Sequence, residues 1–162
     1  MRDRFLSFAA VLHRTTKTFC VCALAVIASG QLAVVLLRYG FGIGFLQLQD
    51  MVAYAFAALV VLGLPVALSE NAHVRVDVFR ARQSFRWRQR FDLCGLVLLL
   101  IPVFGLTLWT VLPAVAFSWS IQEGAIETGG LPGYFLVKTC LPIACVLMLI
   151  QGVAWVLRGD DG

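Results

Sequence analysis

Charge is what this sequence has least of. Asp, Glu, Lys and Arg make up only 14% of its 162 residues, whereas 60% are hydrophobic and the mean hydropathy is +0.89. A soluble domain carries about 25% charged residues, so this chain lacks the polar surface to face water all round. It reads as an all-α integral membrane protein, with residues 1–162 forming a single domain. The net charge of +4 implies no nucleic-acid partner, because the cations flank apolar runs and do not cover a soluble basic face.

Ionisable groups are also missing from the interiors of the apolar runs. Asp50, Glu70, Asp92 and Lys138 all lie at run edges, which leaves Gln31 and Gln151 as the strongly polar side chains inside. An ionisable residue within a span marks an ion or proton pathway, so a proton-coupled exporter is a poor fit. The two histidines, His13 and His73, fall outside the runs and offer no axial ligands to a haem. No cysteine lies in an outer loop, where a thiol–quinone oxidoreductase would need a reactive pair. Cys20, Cys22, Cys94, Cys140 and Cys145 sit in or beside apolar runs and read as small packing residues. Gly40, Gly42 and Gly44 follow no strand and precede no lysine-bearing helix, so they make a turn and not a phosphate loop. No catalytic group, metal site or cofactor site is expected; what remains is a bundle that works through contacts.

Four runs are long enough to cross about 30 Å of hydrocarbon. The first, approximately residues 18–37, follows a basic segment with Arg2, Arg4, Arg14 and Lys17. A basic start before FCVCALAVIASG has the look of a signal peptide, but the run continues through QLAVVLL, which predicts an uncleaved span ending at Arg38 and Tyr39. The second, approximately 51–68, opens at Asp50. Its pairs Ala53 with Ala57 and Gly63 with Ala67 recur at a spacing that lets helices approach closely, and Pro65 bends its end. The third, approximately 93–117, contains Pro102 and Pro113, two expected bends. The fourth, approximately 134–157, carries Lys138 in its first turn and Pro142 within.

Between the second and third runs lies SENAHVRVDVFRARQSFRWRQRFD, with six arginines from Arg75 to Arg90. Positive charge in a short loop stays cytoplasmic, and four spans then place both termini in the cytoplasm. Eleven of the 13 Lys and Arg fall on that side; Arg38 and Lys138 are the two outside. A helical reading sets Arg82, Arg86 and Arg90 on one stripe, with Trp87 and Phe91 roughly opposite. That pattern describes either a short interfacial helix meeting membrane lipids or simply the solvated start of the third span. In the outer loop, Glu123 and Glu127 either steer the docking of a basic partner or are ordinary solvated acids. Lys138 is expected to reach the outer head groups, and Trp109, Trp119 and Trp155 to belong to the aromatic belts.

The order of several short motifs is informative. Ala72-His73-Val74-Arg75-Val76-Asp77 follows the second span, Arg38-Tyr39 ends the first, and Gln49-Asp50 opens the second. Glu123 precedes Gly129-Gly130-Leu131-Pro132, Lys138 begins the fourth span, and Pro142 and Gln151-Gly152 lie within it. On a four-span frame this set resembles the small, DctQ-like Q subunit of tripartite ATP-independent periplasmic (TRAP) transporters. The resemblance covers roughly residues 15–157. It departs from the family where Gln47-Leu48-Gln49-Asp50 replaces a tryptophan and paired glutamates, and where Ala125 replaces a serine.

The resemblance implies a multi-pass protein of the bacterial inner membrane, with no enzymatic activity of its own. Its partners would be a large multi-span permease (M) subunit, which it braces, and a periplasmic substrate-binding protein. The transport would be sodium-coupled uptake of an organic acid, a 2-oxo acid or related carboxylate. His73, Arg75, Asp77, Arg38, Asp50, Glu123 and Glu127 are the candidate partner contacts. The other class left open is a free-standing four-helix membrane scaffold or assembly factor.

Overall fold

The computed structural model of the chain describes residues 2–70, 93–125 and 129–158. Helix α1 runs over Arg2–Gly40, 39 residues, and so takes in the basic N-terminal segment as well as the first expected span. No proline or glycine interrupts residues 2–29, and Asp3 in the first turn and Arg38 in the last complement the helix dipole. At 1.5 Å per residue α1 is about 58 Å long, nearly twice the hydrocarbon thickness. Its first four turns therefore continue beyond the apolar zone as a rigid basic rod.

One stripe of α1 is covered. Ala9, Thr16, Ala23 and Gly30 are buried at seven-residue intervals, with Cys20 buried and His13, Ile27 and Val34 half-buried between them. This alternation of three and four residues is the seam of left-handed helix packing. The small residues on it bring α2, Leu46–Ser69, close. A Cβ on Gly30 would lie 2.7 Å from Val52 Cγ2, inside van der Waals contact. Between membrane helices such close packing stands in for the hydrophobic effect, since lipid tails are as apolar as leucine.

Helix α3 spans Leu93–Ser120 and opens with a π-helical stretch at Leu96–Leu100 before the α-helical Ile101–Ser120. Pro102 accounts for the change of pitch. Its ring has no N–H and would strike the carbonyl four residues back, a clash that a wider turn relieves. Helix α4 covers Tyr134–Arg158. It is the central element: α2 packs on one side of it, α3 on another, and α1 touches it near its end. The core joins Cys20, Leu62, Ala144 and Leu147 from three helices. Where α3 meets α4, a Cβ on Gly152 would come within 2.9 Å of Leu100 Cδ1 and 3.1 Å of Leu96 Cδ1.

Among the described residues four helices are long and apolar enough to cross a membrane, as the sequence predicts. The close approaches are not where the small-residue pairs of α2 point. Ala53 is exposed, and nothing would meet a Cβ on Gly63 within 4 Å; Gly30 and Gly152 mark the tight crossings instead. Charged residues stand at both limits of α2. Asp50 and Glu70 are about 30 Å apart along the axis at 1.5 Å per residue, which is the hydrocarbon thickness. His73, Arg75, Asp77, Arg82, Arg86, Trp87, Arg90, Phe91 and Glu127 lie outside the described residues, as does the expected interfacial helix.

Candidate functional site

The polar chemistry of the described residues collects at the two ends of the bundle. At the end where α2 begins, Gln47, Asp50 and Tyr54 occupy one stripe of the helix, three and four residues apart. All three reach the loop before α4. Asp50 Oδ2 accepts the Leu131 N–H at 2.8 Å, and the Tyr54 hydroxyl donates to the Leu131 carbonyl at 2.9 Å. Both polar groups of a single residue are thus held by one helix face. Gln47 Nε2 adds a bond to the Gly129 carbonyl at 3.1 Å. Gly129 and Gly133, at φ +87° and +107°, supply the left-handed backbone that a side chain would oppose. The Gly-Gly-Leu-Pro-Gly segment is therefore clamped onto α2.

A second set of contacts closes the same end from the α3 side. α3 terminates with Gln122 at φ +44°, while the Gln122 N–H reaches the Trp119 carbonyl at 3.2 Å and the Glu123 N–H the Ser118 carbonyl at 3.0 Å. This is a Schellman termination with glutamine where glycine is usual. It turns Glu123 back towards α4, where Lys138 Nζ donates to Glu123 Oε2 at 2.6 Å and to Ser118 Oγ at 3.2 Å. The Lys138 and Ser118 side chains hold the Glu123 carboxyl below the ordinary carboxylate range. Lys138 also lies 5.1 Å from the centre of the Tyr134 ring, and Trp119 Nε1 donates to Thr139 Oγ1 at 2.9 Å while its ring meets Phe135 edge-on.

The opposite end has its own clasp. Lys17 Nζ donates to Glu70 Oε1 at 2.5 Å, and His13 Nε2 lies 3.5 Å from the same oxygen. Lys17, with His13, lowers the Glu70 carboxyl pKa. One turn further down, Gln151 Nε2 donates to the Ala9 carbonyl at 2.8 Å in a buried setting. The basic N-terminal rod is thereby fixed to the ends of α2 and α4. Next to it, Leu68, Leu96, Leu100, Gly152 and Trp155 border an apolar groove of about 190 Å³. No group of three or more His, Cys, Asp or Glu among the described residues could hold a metal.

The structure brings together Asp50, Glu123, Lys138 and Trp119, and leaves others apart. Lys138, expected at the head groups, is engaged by Glu123. Arg38 is exposed and has no partner among the described residues. Trp109 is 79% exposed and about 14 Å along α3 from Ser118. Sequence reasoning did not find Tyr54, Gln47, Ser118, or the His13, Lys17 and Glu70 set. The signal available was polar side chains three or four apart at helix ends.

Comparison with known proteins decides the family. The family model for the DctQ component of tripartite ATP-independent periplasmic transporters matches residues 27–161. The chain belongs to the DctQ family. That family is a component of membrane transporters. A Haemophilus influenzae protein described as a TRAP transporter small permease is 33% identical over 72 residues, 44% of this chain and 45% of the relative. The chain thus spans under half the length of that relative in the match. No solved structure matches. In this DctQ chain, the residues clasped at the end where α2 begins include the motif positions scattered through its sequence: Asp50, Glu123, Gly129, Leu131 and Lys138.

Proposed function

We propose that this DctQ subunit braces a large, multi-span permease subunit in the bacterial inner membrane, within a sodium-coupled system that takes up an organic acid. A 2-oxo acid or related carboxylate fits the resemblance best. The N and C termini and the Lys17–Glu70 clasp face the cytoplasm in this reading, because eleven of the 13 cations lie on that side. The Asp50–Leu131 clasp then faces the periplasm.

One observation carries the proposal: the loop at the outer end is held rigid by Asp50 and Tyr54 while Gly129 and Pro132 stay exposed. A preformed surface loses little conformational freedom when a partner docks, which suits contact with the large subunit or with a periplasmic binding protein. The test is uptake into proteoliposomes containing the large permease and the binding protein, with and without this chain. Sodium-dependent uptake of a carboxylate only when the chain is present supports the reading; equal uptake without it refutes it.

A further inference from the structure

Helices α2 and α3 are consecutive in the chain, yet among the described residues both lean on α4 and barely touch each other. At the Glu70 end the gap between them forms the apolar groove of about 190 Å³, bordered by Leu68, Gly95, Leu96, Leu100, Gly152 and Trp155. Its floor is tight and its α3 wall is open. A Cβ on Gly152 would strike Leu100, whereas a Cβ on Gly95 would meet nothing within 4 Å. From Gly95 the wall continues into the π-helical stretch, a rare form that recurs at functional sites.

Size, position and charge narrow what fills this groove. One turn of helix, about 10 Å across and 5.4 Å long, takes up about 420 Å³, so there is room for a hydrocarbon chain but not for a partner helix. The groove lies at the limit of the hydrocarbon. Leu68 is about 3 Å along α2 from Glu70, and Trp155 has the indole that favours the boundary between lipid chains and head groups. Charge at this end is strongly positive. Eleven of the 13 Lys and Arg belong to segments that begin or end here, against six of the nine acids. The opposite end has two cations and three acids. Basic residues at a membrane surface draw anionic lipids to them. We propose that the groove binds one acyl chain of an anionic phospholipid, with its phosphate at the basic end of the bundle. The site belongs to this chain alone and needs no large subunit.

Fluorescence quenching in lipid nanodiscs tests this. Phospholipids brominated on their acyl chains quench an indole only on contact. The full chain keeps Trp155 alone, through Trp87→Phe, Trp109→Phe and Trp119→Phe; a companion keeps instead Trp109, which is 79% exposed on α3. Brominated phosphatidylglycerol should be preferred over brominated phosphatidylcholine at Trp155 by at least about fivefold, the attraction of one basic residue. The preference should fall as salt rises, and Trp109 should show none. Gly95→Leu, whose side chain has open space to enter the groove, should abolish it. Native mass spectrometry of the chain with all its tryptophans should show phosphatidylglycerol retained, and lost from Gly95→Leu. Equal quenching by the two lipids, no quenching at Trp155, the same preference at Trp109, or a preference that survives Gly95→Leu would overturn the proposal.

Discussion

Replacing Asp50 with alanine tests whether the clasp on the loop before α4 is held as described. The carboxylate accepts the Leu131 N–H at 2.8 Å, and Tyr54 holds the carbonyl of the same residue. A hydrogen bond to a charged acceptor contributes roughly 1.5–3 kcal/mol. Asp50 and Leu131 are only half-buried, so the lower figure, about 1.5 kcal/mol, applies. That corresponds to about a tenfold larger population of the opened loop. Hydrogen exchange at the Leu131 amide in lipid nanodiscs reads this population directly, since that N–H is the donor. Asp50→Ala should reduce its protection about tenfold, and Tyr54→Phe by less, because a neutral bond is worth about 1 kcal/mol. The two changes together should be non-additive, because both residues hold one peptide segment. Unchanged Leu131 protection in a folded Asp50→Ala protein would refute the clasp.

Three further outcomes are expected. Gly30→Val should lower stability by about 1–3 kcal/mol through overpacking against the stiff Val52 side chain; Gly63→Ala, with open space around it, should not, as thermal unfolding in detergent would show. Gln122→Gly should raise the melting temperature, because it relieves about 1 kcal/mol of left-handed strain at φ +44°; a lower melting temperature would count against the Schellman turn. Because Lys138 lowers the Glu123 pKa below 4.5, the contact stabilises the fold above that value and is lost as pH falls through the lowered one. Wild type should therefore outlast Glu123→Gln at neutral pH, with the gap closing only below pH 4.5.

The four helices were legible because charge vanishes over four long stretches and returns at their ends. The fourth span begins in sequence and structure alike at Tyr134. Less legible was the N-terminal extension of α1. Arg2 to Lys17 reads as a topogenic signal, while its helicity depends on contacts made elsewhere, Ala9 with Gln151 and Lys17 with Glu70. The small-residue pairs of α2 misled because a spacing of four says only that a close approach is sterically allowed. Whether it happens depends on the facing residue, and Gly30 found Val52.

At the candidate site, the ordered motifs gave Asp50, Glu123 and Lys138 individually. Their grouping was hidden, because more than 70 residues separate Asp50 from Glu123 and only the packing of α2 and α3 against α4 unites them. Tyr54 was within reach of a sequence argument. It stands four residues after Asp50, on the same face of a helix whose first turns border water.

A bracing subunit acts within a complex and not alone. Native mass spectrometry of the tagged chain, extracted from its own membranes in mild detergent, addresses it most directly. The expected result is a stoichiometric complex, roughly one to one, with a large polytopic membrane protein. A spectrum showing only the free chain, or only copies of itself, would contradict it.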